Sequence, residues 1–321
     1  MISLIATILN EKNNLADWLD GILSQTVLPE EIVIVDGGST DGTWEMLLQK
    51  SKQNNLIKAW QHLGNISSGR NFAIGKAVGE IIVVTDAGCT YDINWFRKIV
   101  EPILSGQSNF VATGFGPWFK SDDNLIARLI AAATIPAPLE FKRNWLPSSR
   151  SIAFKKEAWK KAGGYPEWIP LCEDVVFDLK IFKSGIKTEY VREPLVFWRP
   201  RITLKNYFKQ LFGYTRSDGH GKLWFRRQMV RYIFYSLNVI LLYLTFKSSW
   251  WFAGVILLGQ FDYIRKFGKR WLVYSEKLSL FNKIIGFLLL PLVVVYGDVA
   301  KMCGWPVGVY ERRSGKIKFE A

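Results

Sequence analysis

The sequence predicts an α/β protein with an open, mostly parallel, doubly wound sheet and membrane-associated helices in its C-terminal part. Three observations lead to this prediction. Strand and helix patterns alternate from residue 1 to about residue 115, the apolar strands end at turns or acids, and uncharged apolar runs follow residue 231. Strands that alternate with helices are typical of a parallel sheet with helices on both faces.

The first part of the chain carries the predicted strands and the helices between them. Apolar, mostly β-branched runs predict strands at Ile2–Ile8, Glu31–Asp36, Leu56–His62 and Ile81–Val84. Apolar residues at helical spacing predict helices within residues 10–23, 37–50, 67–79 and 93–104. The run at Ile81–Val84 is uninterrupted, as expected of a parallel strand that is covered on both faces.

The region from residue 116 to residue 200 is less regular. Residues 149–159, SRSIAFKKEAW, predict a strand that leads into a helix. Residues 172–185, CEDVVFDLKIFKSG, predict a helix that begins with two acids and ends at Gly185. We therefore expect one nucleotide-binding and catalytic domain over residues 1–220.

Residues 221–321 are predicted to form a basic linker, membrane-associated helices and a short basic tail. Uncharged apolar runs cover Tyr232–Phe246, Ser248–Phe261 and Ile284–Gly297, each shorter than the roughly 17–25 residues of a spanning helix. Basic flanks favour a hairpin around Lys247 with both ends in the cytoplasm. The third run is expected to re-enter the membrane or lie on its surface, which keeps the basic tail cytoplasmic. Soluble core helices are the alternative.

Composition excludes several classes of protein. The formal net charge of +14 implies an anionic partner such as phosphate, nucleic acid or an acidic membrane surface. Nucleic acid is disfavoured because no nucleic-acid-binding module is recognisable, so the basic stretch from residue 199 to residue 231 is expected to face lipid. The three cysteines form no CxxC pair, which disfavours zinc and a disulfide framework and fits a reducing, cytosolic setting.

The stretch VDGGSTDGT, residues 35–43, is the most specific motif. Asp36 ends a strand, and the turn that follows exposes backbone N–H groups, so that a ligand can approach Gly37 closely. A carboxylate at this place suits hydrogen bonds to the base or the ribose of a nucleotide. The motif has neither the GK[ST] of a P-loop nor the spacing of a dinucleotide-binding fingerprint. An ordinary strand–turn–helix junction is the alternative.

A second carboxylate follows the strand Ile81–Val84. Asp86 stands outside the carboxyl end of a strand, where α/β sheets bind their ligands. Gly88 occupies the position where a second acid would help to hold a metal ion. Upstream, Arg70 begins a predicted helix, and its guanidinium could bind the base or the phosphates of a nucleotide. A solvent-exposed arginine is the alternative.

Two acids open the predicted helix at residue 173. Neighbouring residues at a helix N-terminus point in different directions, so one of Glu173 and Asp174 could act as general base while the other supports it. A helix-capping pair is the alternative. Further along the chain, Arg216 could meet a leaving diphosphate. The chain has only 2 histidines, which disfavours a histidine-centred triad.

These motifs, in this order, resemble the inverting family 2 glycosyltransferases, which have a GT-A fold. The matching segments are ATILNEKNNL, IVIVDGGSTDGT, GRNFAIGKAVGEIIVVTDAG, GGYPE and CEDVVFDLKI, and the resemblance covers about residues 1–220. The QxxRW motif of processive members is absent from QLFGYTR, which argues against a processive polymerase.

The resemblance implies a role for the matching residues. It implies that Asp174 is the catalytic base and that Asp86 holds the donor's diphosphate through Mg²⁺ or Mn²⁺, while Glu173 is the supporting acid. Gly88 replaces the second acid that is usual in the family's DxD motif. Together with the motifs above, the predicted nucleotide and donor site comprises Thr7, Asn10, Glu11, Asp36, Gly37, Arg70, Asp86 and Arg216.

The implied reaction is a single displacement with inversion, in which Asp174 removes a proton from the acceptor. The expected partners are a UDP- or GDP-sugar, a membrane-proximal, lipid-linked or glycan acceptor that offers a hydroxyl or a phosphate, and the membrane. The catalytic domain is expected to face the cytoplasm. A catalytically impaired glycan- or lipid-binding relative is the alternative, because the second acid is missing. A sugar-nucleotide pyrophosphorylase is disfavoured because ILNEKNNL lacks the Gly-rich loop of that class.

Overall fold

The computed structural model describes residues 1–141 and 145–316, which divide into two compact units. The first unit comprises Met1–Trp118 and Pro138–Arg199, and the second comprises Phe119–Ala137 and Pro200–Ala321. This division differs from the predicted boundary at residue 220. The helix that ends at His220 packs within the second unit, and a segment from the first half of the chain joins it there.

The described residues form strands and helices at nearly all the predicted places. The strands are β1 (Ile2–Ile8), β2 (Glu31–Asp36), β3 (Ile57–Gln61), β4 (Ile81–Val84), β5 (Cys89–Tyr91), β6 (Phe110–Pro117), β7 (Ile152–Lys155) and β8 (Thr188–Trp198). The helices are α1 (Leu15–Leu23), α2 (Thr43–Gln53), α3 (Ile66–Lys76), α4 (Trp95–Leu104), α5 (Leu125–Thr134), α6 (Lys156–Lys161), α7 (Glu173–Lys183), α8 (Leu204–His220), α9 (Phe225–Lys247), α10 (Trp251–Tyr274) and α11 (Leu280–Arg313).

The first unit contains one eight-stranded sheet of order β3-β2-β1-β4-β7-β6-β8-β5. Strands β1 to β4 pair in parallel, and β6 pairs in parallel with β8. Two strands run against the others, because β7 is antiparallel to β4 and β6, and β5 is antiparallel to β8. The predicted fold class, an α/β protein with a mostly parallel sheet, is therefore confirmed.

Helices cover both faces of this sheet. Along β1, Leu4 and Ala6 join the core under α1 and α4, whereas Ile5 joins the core under α3, α6 and α7. Along β4, Val83 faces the first core, and Ile82 and Val84 face the second. Both sides of β4 are thus apolar environments, which explains its uninterrupted apolar sequence. Each such buried side chain stabilises the fold by about 1.5–3 kcal/mol.

The second unit is helical, and two of its described helices have the length and composition to cross a membrane. These helices are α9 and α11, with 23 and 34 residues. Only 11% of the apolar window of α9 and 28% of that of α11 is buried, whereas the core helix of a soluble protein would be mostly covered. The helical hairpin turns after Lys247, where the sequence predicted it.

Helix α11 is longer than the sequence predicted. The apolar run Ile284–Gly297 was expected to re-enter the membrane or to lie on its surface, but the helix continues unbroken to Arg313. It passes through Asp298, which is fully buried and accepts hydrogen bonds from Nε of Arg231 at 3.2 Å and Nζ of Lys301 at 3.0 Å. The buried charge of Asp298 is thus compensated by two cations within the unit.

Small residues let α8 and α11 approach each other closely. A Cβ atom at Gly308 would overlap the backbone carbonyl oxygen of Arg216, and one at Gly304 would overlap that of Phe212. Another, at Gly219 on α8, would lie 2.5 Å from the carbonyl oxygen of Trp305. Both helices therefore need glycine at their contact, which explains why α8 belongs to the helical unit.

Candidate active site

A cleft of about 310 Å³ lies at the carboxyl ends of β1, β2 and β4. Parallel sheets bind ligands at this edge, in the crevice where strand order reverses. Four residues of the predicted donor site line the cleft, namely Thr7, Glu11, Gly37 and Asp86. Residues that the sequence did not single out, including His62 and Asn65, complete its wall.

The loop after β1 is fastened to the loop after β2. Asn10 has a left-handed backbone with φ of 55°. Its N–H donates to the hydroxyl of Ser39 at 2.8 Å, and its side-chain oxygen accepts the N–H of Thr40 at 2.9 Å. The next N–H, of Glu11, donates to the hydroxyl of Thr43 at 2.9 Å. Asn10 thus shapes the edge of the cleft, and its contact with a nucleotide stays a prediction.

Asp36 is fully buried and builds the turn that follows β2. Its carboxylate accepts the N–H groups of Gly38 and Ser39 at 3.1 and 3.0 Å and a side-chain N–H of Gln61 at 3.1 Å. Gly38 has φ of +98°, a conformation that favours glycine. The carboxylate that was predicted to bind a base or ribose thus already accepts hydrogen bonds from the protein itself. Its contact with a nucleotide stays a prediction.

Arg70 is buried and links the carboxylates of Asp86 and Glu173. Its side chain is only 2% exposed, and Nη1 donates to Oε1 of Glu173 at 2.6 Å while Nη2 donates to Oδ1 of Asp86 at 2.7 Å. The neighbouring Gly69 lets α3 approach β1, since a Cβ there would lie 2.9 Å from Cγ2 of Thr7. The solvent-exposed alternative for Arg70 is therefore wrong.

Asp86 presents a carboxylate that stays ionised. Burial raises its pKa, but the charges of Arg70 and Arg150 outweigh burial and hold the pKa below its ordinary value. Nε of Arg150 lies 3.6 Å from Oδ2, and the carboxylate is 22% exposed. Beyond it, Gly88 has φ of +84° and faces open space, with nothing within 4 Å of the position of a Cβ.

The two acids at the start of α7 have different surroundings. Glu173 is buried against Arg70, and burial raises its pKa while the charge of Arg70 opposes this. Asp174 is half-buried, and its Oδ1 accepts the N–H of Val175 at 2.9 Å. Cys172 enters the helix with a left-handed backbone, φ 60°. Glu173 is thus fixed in the interior, and Asp174 is partly exposed at the start of α7.

A third carboxylate lies behind this pair. Asp178 is fully buried on α7, and neither oxygen has a hydrogen-bond partner among residues 1–141 and 145–316. Burial raises its pKa well above the ordinary value, and the negative charge of Asp174 adds to this. The sequence held a usable signal, since Asp178 stands at helical spacing between the buried residues Phe177 and Ile181, where the pattern calls for an apolar side chain.

Arg216 belongs to the second unit and has a partner there. Its Nε and Nη2 donate to the two carboxylate oxygens of Glu311, both at 2.6 Å, and His220 lies 2.9 Å from the same carboxylate. This network fixes the end of α8 to the end of α11. The predicted contact of Arg216 with a leaving diphosphate stays a prediction.

Comparison with known proteins decides the family of this site. Residues 3–160 match the family described as "Glycosyl transferase family 2". The chain carries a glycosyltransferase family 2 domain. The matched residues include β1 to β4, Arg70, Asp86 and Arg150, whereas Glu173 and Asp174 lie beyond the match.

Two curated bacterial relatives are named for succinoglycan biosynthesis and for galactosyl transfer. The succinoglycan biosynthesis protein ExoA of Rhizobium meliloti is 25% identical over 221 residues, which cover 65% of this chain and 66% of that protein. A UDP-Gal:α-D-GlcNAc-diphosphoundecaprenol β-1,3-galactosyltransferase of Escherichia coli is 20% identical over 70% of this chain and 83% of its own length. The match to ExoA thus spans slightly less than two thirds of that relative.

A solved structure shows the same fold. The mannosyltransferase PcManGT from Pyrobaculum calidifontis, in complex with GDP-Man and Mn²⁺, superposes with a TM-score of 0.55 at 16% sequence identity. The superposition covers 97% of this chain and 86% of that chain. The predicted GT-A-type fold of the family 2 domain is thereby confirmed.

The described residues offer two cleft-lining carboxylates, those of Asp86 and Glu11, to a metal ion. No group of three or more His, Cys, Asp or Glu side chains that could hold a metal occurs in the part of the chain that the structure describes. Asp86 lines the cleft, its pKa is held below the ordinary value, and its Oδ2 lies 3.6 Å from Nε of Arg150. Mg²⁺ commonly needs only one or two carboxylates when substrate phosphates and water complete its shell, so the residues fit a donor-dependent ion.

Proposed function

We propose that the protein transfers a sugar from a UDP- or GDP-sugar to a hydroxyl or phosphate of a membrane-proximal or lipid-linked acceptor, with inversion. The observation that carries this proposal is the separation of roles in the acid pair. Arg70 fixes Glu173 in the interior at 2.6 Å, whereas Asp174 remains half-buried at the start of α7. Asp174 is therefore the acid of this pair that can accept a proton from an acceptor.

The reaction follows from these positions as a single displacement. Asp174 takes the proton of the acceptor hydroxyl, and the acceptor oxygen forms a bond to the anomeric carbon from the face opposite to the diphosphate. The bond between the anomeric carbon and the diphosphate oxygen breaks at the same time. The leaving group is a nucleoside diphosphate, and the configuration at the anomeric carbon inverts.

Mg²⁺ or Mn²⁺ is the cofactor that Asp86 fits. Asp86 would hold the ion together with phosphate oxygens of the donor, and the ion would offset negative charge on the leaving diphosphate. Arg70 keeps Asp86 ionised and fixes one carboxylate oxygen at 2.7 Å. The open space at Gly88, where the family usually has a second acid, leaves room for water molecules around such an ion.

The membrane is the expected location of the acceptor. Helices α9 and α11 expose large apolar side chains, including Ile240, Phe246 and Leu288. The basic flank of α9 carries Arg226 and Arg227, which favours a cytoplasmic start of this helix. The Escherichia coli relative acts on a diphosphoundecaprenol-linked sugar according to its name, which agrees with a lipid-linked acceptor.

A donor screen tests the proposed function. The whole chain in detergent micelles is incubated with a panel of UDP- and GDP-sugars in Mg²⁺, Mn²⁺ or chelator, and released nucleoside diphosphate is measured against an Asp174→Asn background. Release above that background from at least one donor supports the proposal, and its loss in chelator supports the metal at Asp86. If every donor gives only background release, with membrane lipid extract as acceptor, the chain is a catalytically impaired relative.

A further inference from the structure

Arg150 lies beside Asp86 because β7 runs antiparallel to β4. Val84, near the end of β4, pairs with Ile152 at the start of β7. The residues just before β7, among them Arg150, are therefore brought to the carboxyl edge of the parallel strands. There, Nε of Arg150 lies 3.6 Å from Oδ2 of Asp86. No sequence motif marks this arginine, because its position depends on the pairing of Val84 with Ile152, 68 positions apart in sequence.

An aromatic ring holds Arg150 in place. The guanidinium carbon lies 4.7 Å from the ring centre of Trp198, the last residue of β8. Stacking of this kind orients a guanidinium without using its N–H donors. The side chain is 31% exposed, whereas Arg70 is 2% exposed and has both terminal nitrogens bonded to acids. Arg150 is the more exposed of these two cations, and it lies beside Asp86, which lines the cleft. Its Nη1 also donates to the hydroxyl of Ser148 at 3.3 Å.

We propose that Arg150 binds the diphosphate of the donor and stabilises the leaving nucleoside diphosphate. This assignment rests on the proposed function and adds a residue to it. The distance of 3.6 Å between Nε and Oδ2 exceeds the 2.7–3.2 Å of a good hydrogen bond. The contact with Asp86 is therefore weak enough for the planar guanidinium to exchange it for two phosphate oxygens, the geometry that arginine recognises best.

The local charge supports this role. With their acids ionised, Asp86, Glu173, Asp174 and Arg70 sum to two negative charges, which repel a diphosphate. Arg150 halves this net charge before any metal ion is counted. A cation that acts where negative charge develops in the transition state accelerates the reaction more than one that only binds the ground state.

Calorimetric titration of the whole chain in detergent tests the assignment. UDP, GDP, UMP and GMP are titrated in Mg²⁺ into wild type, Arg150→Gln and Arg150→Lys. For the diphosphate that wild type binds, Arg150→Gln should lose about 10- to 100-fold in affinity, the usual worth of a hydrogen bond between charged groups. Arg150→Lys should lose less affinity, because lysine keeps the positive charge but not the planar pair of N–H donors. The affinity of both variants for the matching monophosphate should fall much less.

The control is Arg97→Gln, which removes an exposed arginine from α4 of the same unit. It should bind diphosphate as wild type does, which separates local contact from overall charge. Wild-type affinity in Arg150→Gln, or an equal loss for monophosphate and diphosphate, would overturn the assignment and leave the proposed function standing. Failure of wild type to bind any nucleoside diphosphate would overturn both.

Discussion

Glu173 accepts a hydrogen bond of 2.6 Å from Nη1 of Arg70, across 103 positions of sequence. The other terminal nitrogen of the same guanidinium donates to Asp86 at 2.7 Å. Arg70, on helix α3, therefore fixes the carboxylate after β4 relative to the start of α7, which carries the proposed base. Under the proposed function, this fixed pair would pre-organise the displacement.

Asp174→Asn should abolish sugar transfer and leave donor binding nearly unchanged. The amide cannot take the acceptor proton, and general-base catalysis is worth about 10²- to 10⁴-fold. The measurement is the rate of nucleoside diphosphate release with acceptor, together with the affinity for the nucleoside diphosphate. Asp20→Asn, an exposed change on α1, is the control and should leave both unchanged. Transfer at the wild-type rate by Asp174→Asn would show that another group is the base.

Arg70→Met should destabilise the protein strongly. It leaves Asp86 and Glu173 without their buried cation, and removal of one partner from a buried ion pair costs about 3–5 kcal/mol. The measurement is the free energy of unfolding from a denaturant titration. The loss should shrink as the pH falls, because protonation of the two acids removes the uncompensated charge.

The matched control for Arg70 is Arg97→Met, an exposed change on α4 that should alter stability by less than about 0.5 kcal/mol. A deficit of Arg70→Met that stays the same at acidic and neutral pH would contradict the electrostatic explanation. It would indicate that lost packing, for instance the contact of the guanidinium with the ring of Tyr165 at 5.2 Å, accounts for the effect.

Asp178→Asn should stabilise the protein relative to wild type as the pH rises. Burial raises the pKa of Asp178, so the folded protein keeps its proton where the unfolded carboxyl, with a pKa of about 3.9, ionises. The stability that this group contributes is fully present below that value and is lost as the pH rises through the folded-state pKa. The difference from wild type should grow by up to about 1.4 kcal/mol per pH unit above pH ~4.

Denaturant titrations at several pH values between 4 and 8 measure this difference for Asp178. Asp20→Asn again serves as the control, because its carboxyl is exposed on α1. A flat difference for Asp178→Asn would mean that its carboxyl ionises in the folded protein as freely as in the unfolded chain.

Gly308→Ala should loosen the contact between α8 and α11. The added methyl group would overlap the carbonyl oxygen of Arg216, and overpacking of this kind costs about 1–3 kcal/mol. Thermal unfolding in detergent measures the effect. Gly254→Ala on α10 is the control, since nothing lies within 4 Å of its Cβ position and alanine favours a helix by about 1 kcal/mol. Equal melting temperatures for the two variants would contradict the packing of α8 on α11.

Much of the first unit could be predicted because its signals are local. The bounds of β1, β2 and β4 follow from apolar runs that end in turns or acids, and the structure reproduces them. The direction of β7 could not be predicted in this way, because antiparallel pairing with β4 depends on the path of the chain between them. The same holds for α5, whose partners α10 and α11 lie more than 100 residues further along.

The site was predicted less completely than the fold. The motifs placed Thr7, Glu11, Gly37 and Asp86 around one cleft, because parallel strands end at one edge. They did not reveal that Arg70 is buried between two acids, since exposure at a helix start depends on what packs above it. They also missed Arg150, whose position follows from long-range strand pairing rather than from its neighbours in sequence.

The chain leaves the first unit after Trp118, contributes α5 to the second, and returns at Pro138. Within the second unit, Nη1 of Arg128 on α5 donates to the carbonyl of Tyr274 at 2.9 Å, and the hydroxyl of Tyr274 donates to the carbonyl of Pro136 at 2.6 Å. The second unit is therefore not a C-terminal segment alone, because it includes residues 119–137. A fragment that stops near residue 200 would retain α5 without its partners. The buried side chains of Leu129 and Ile130 would then be exposed to solvent as an aggregation-prone apolar patch.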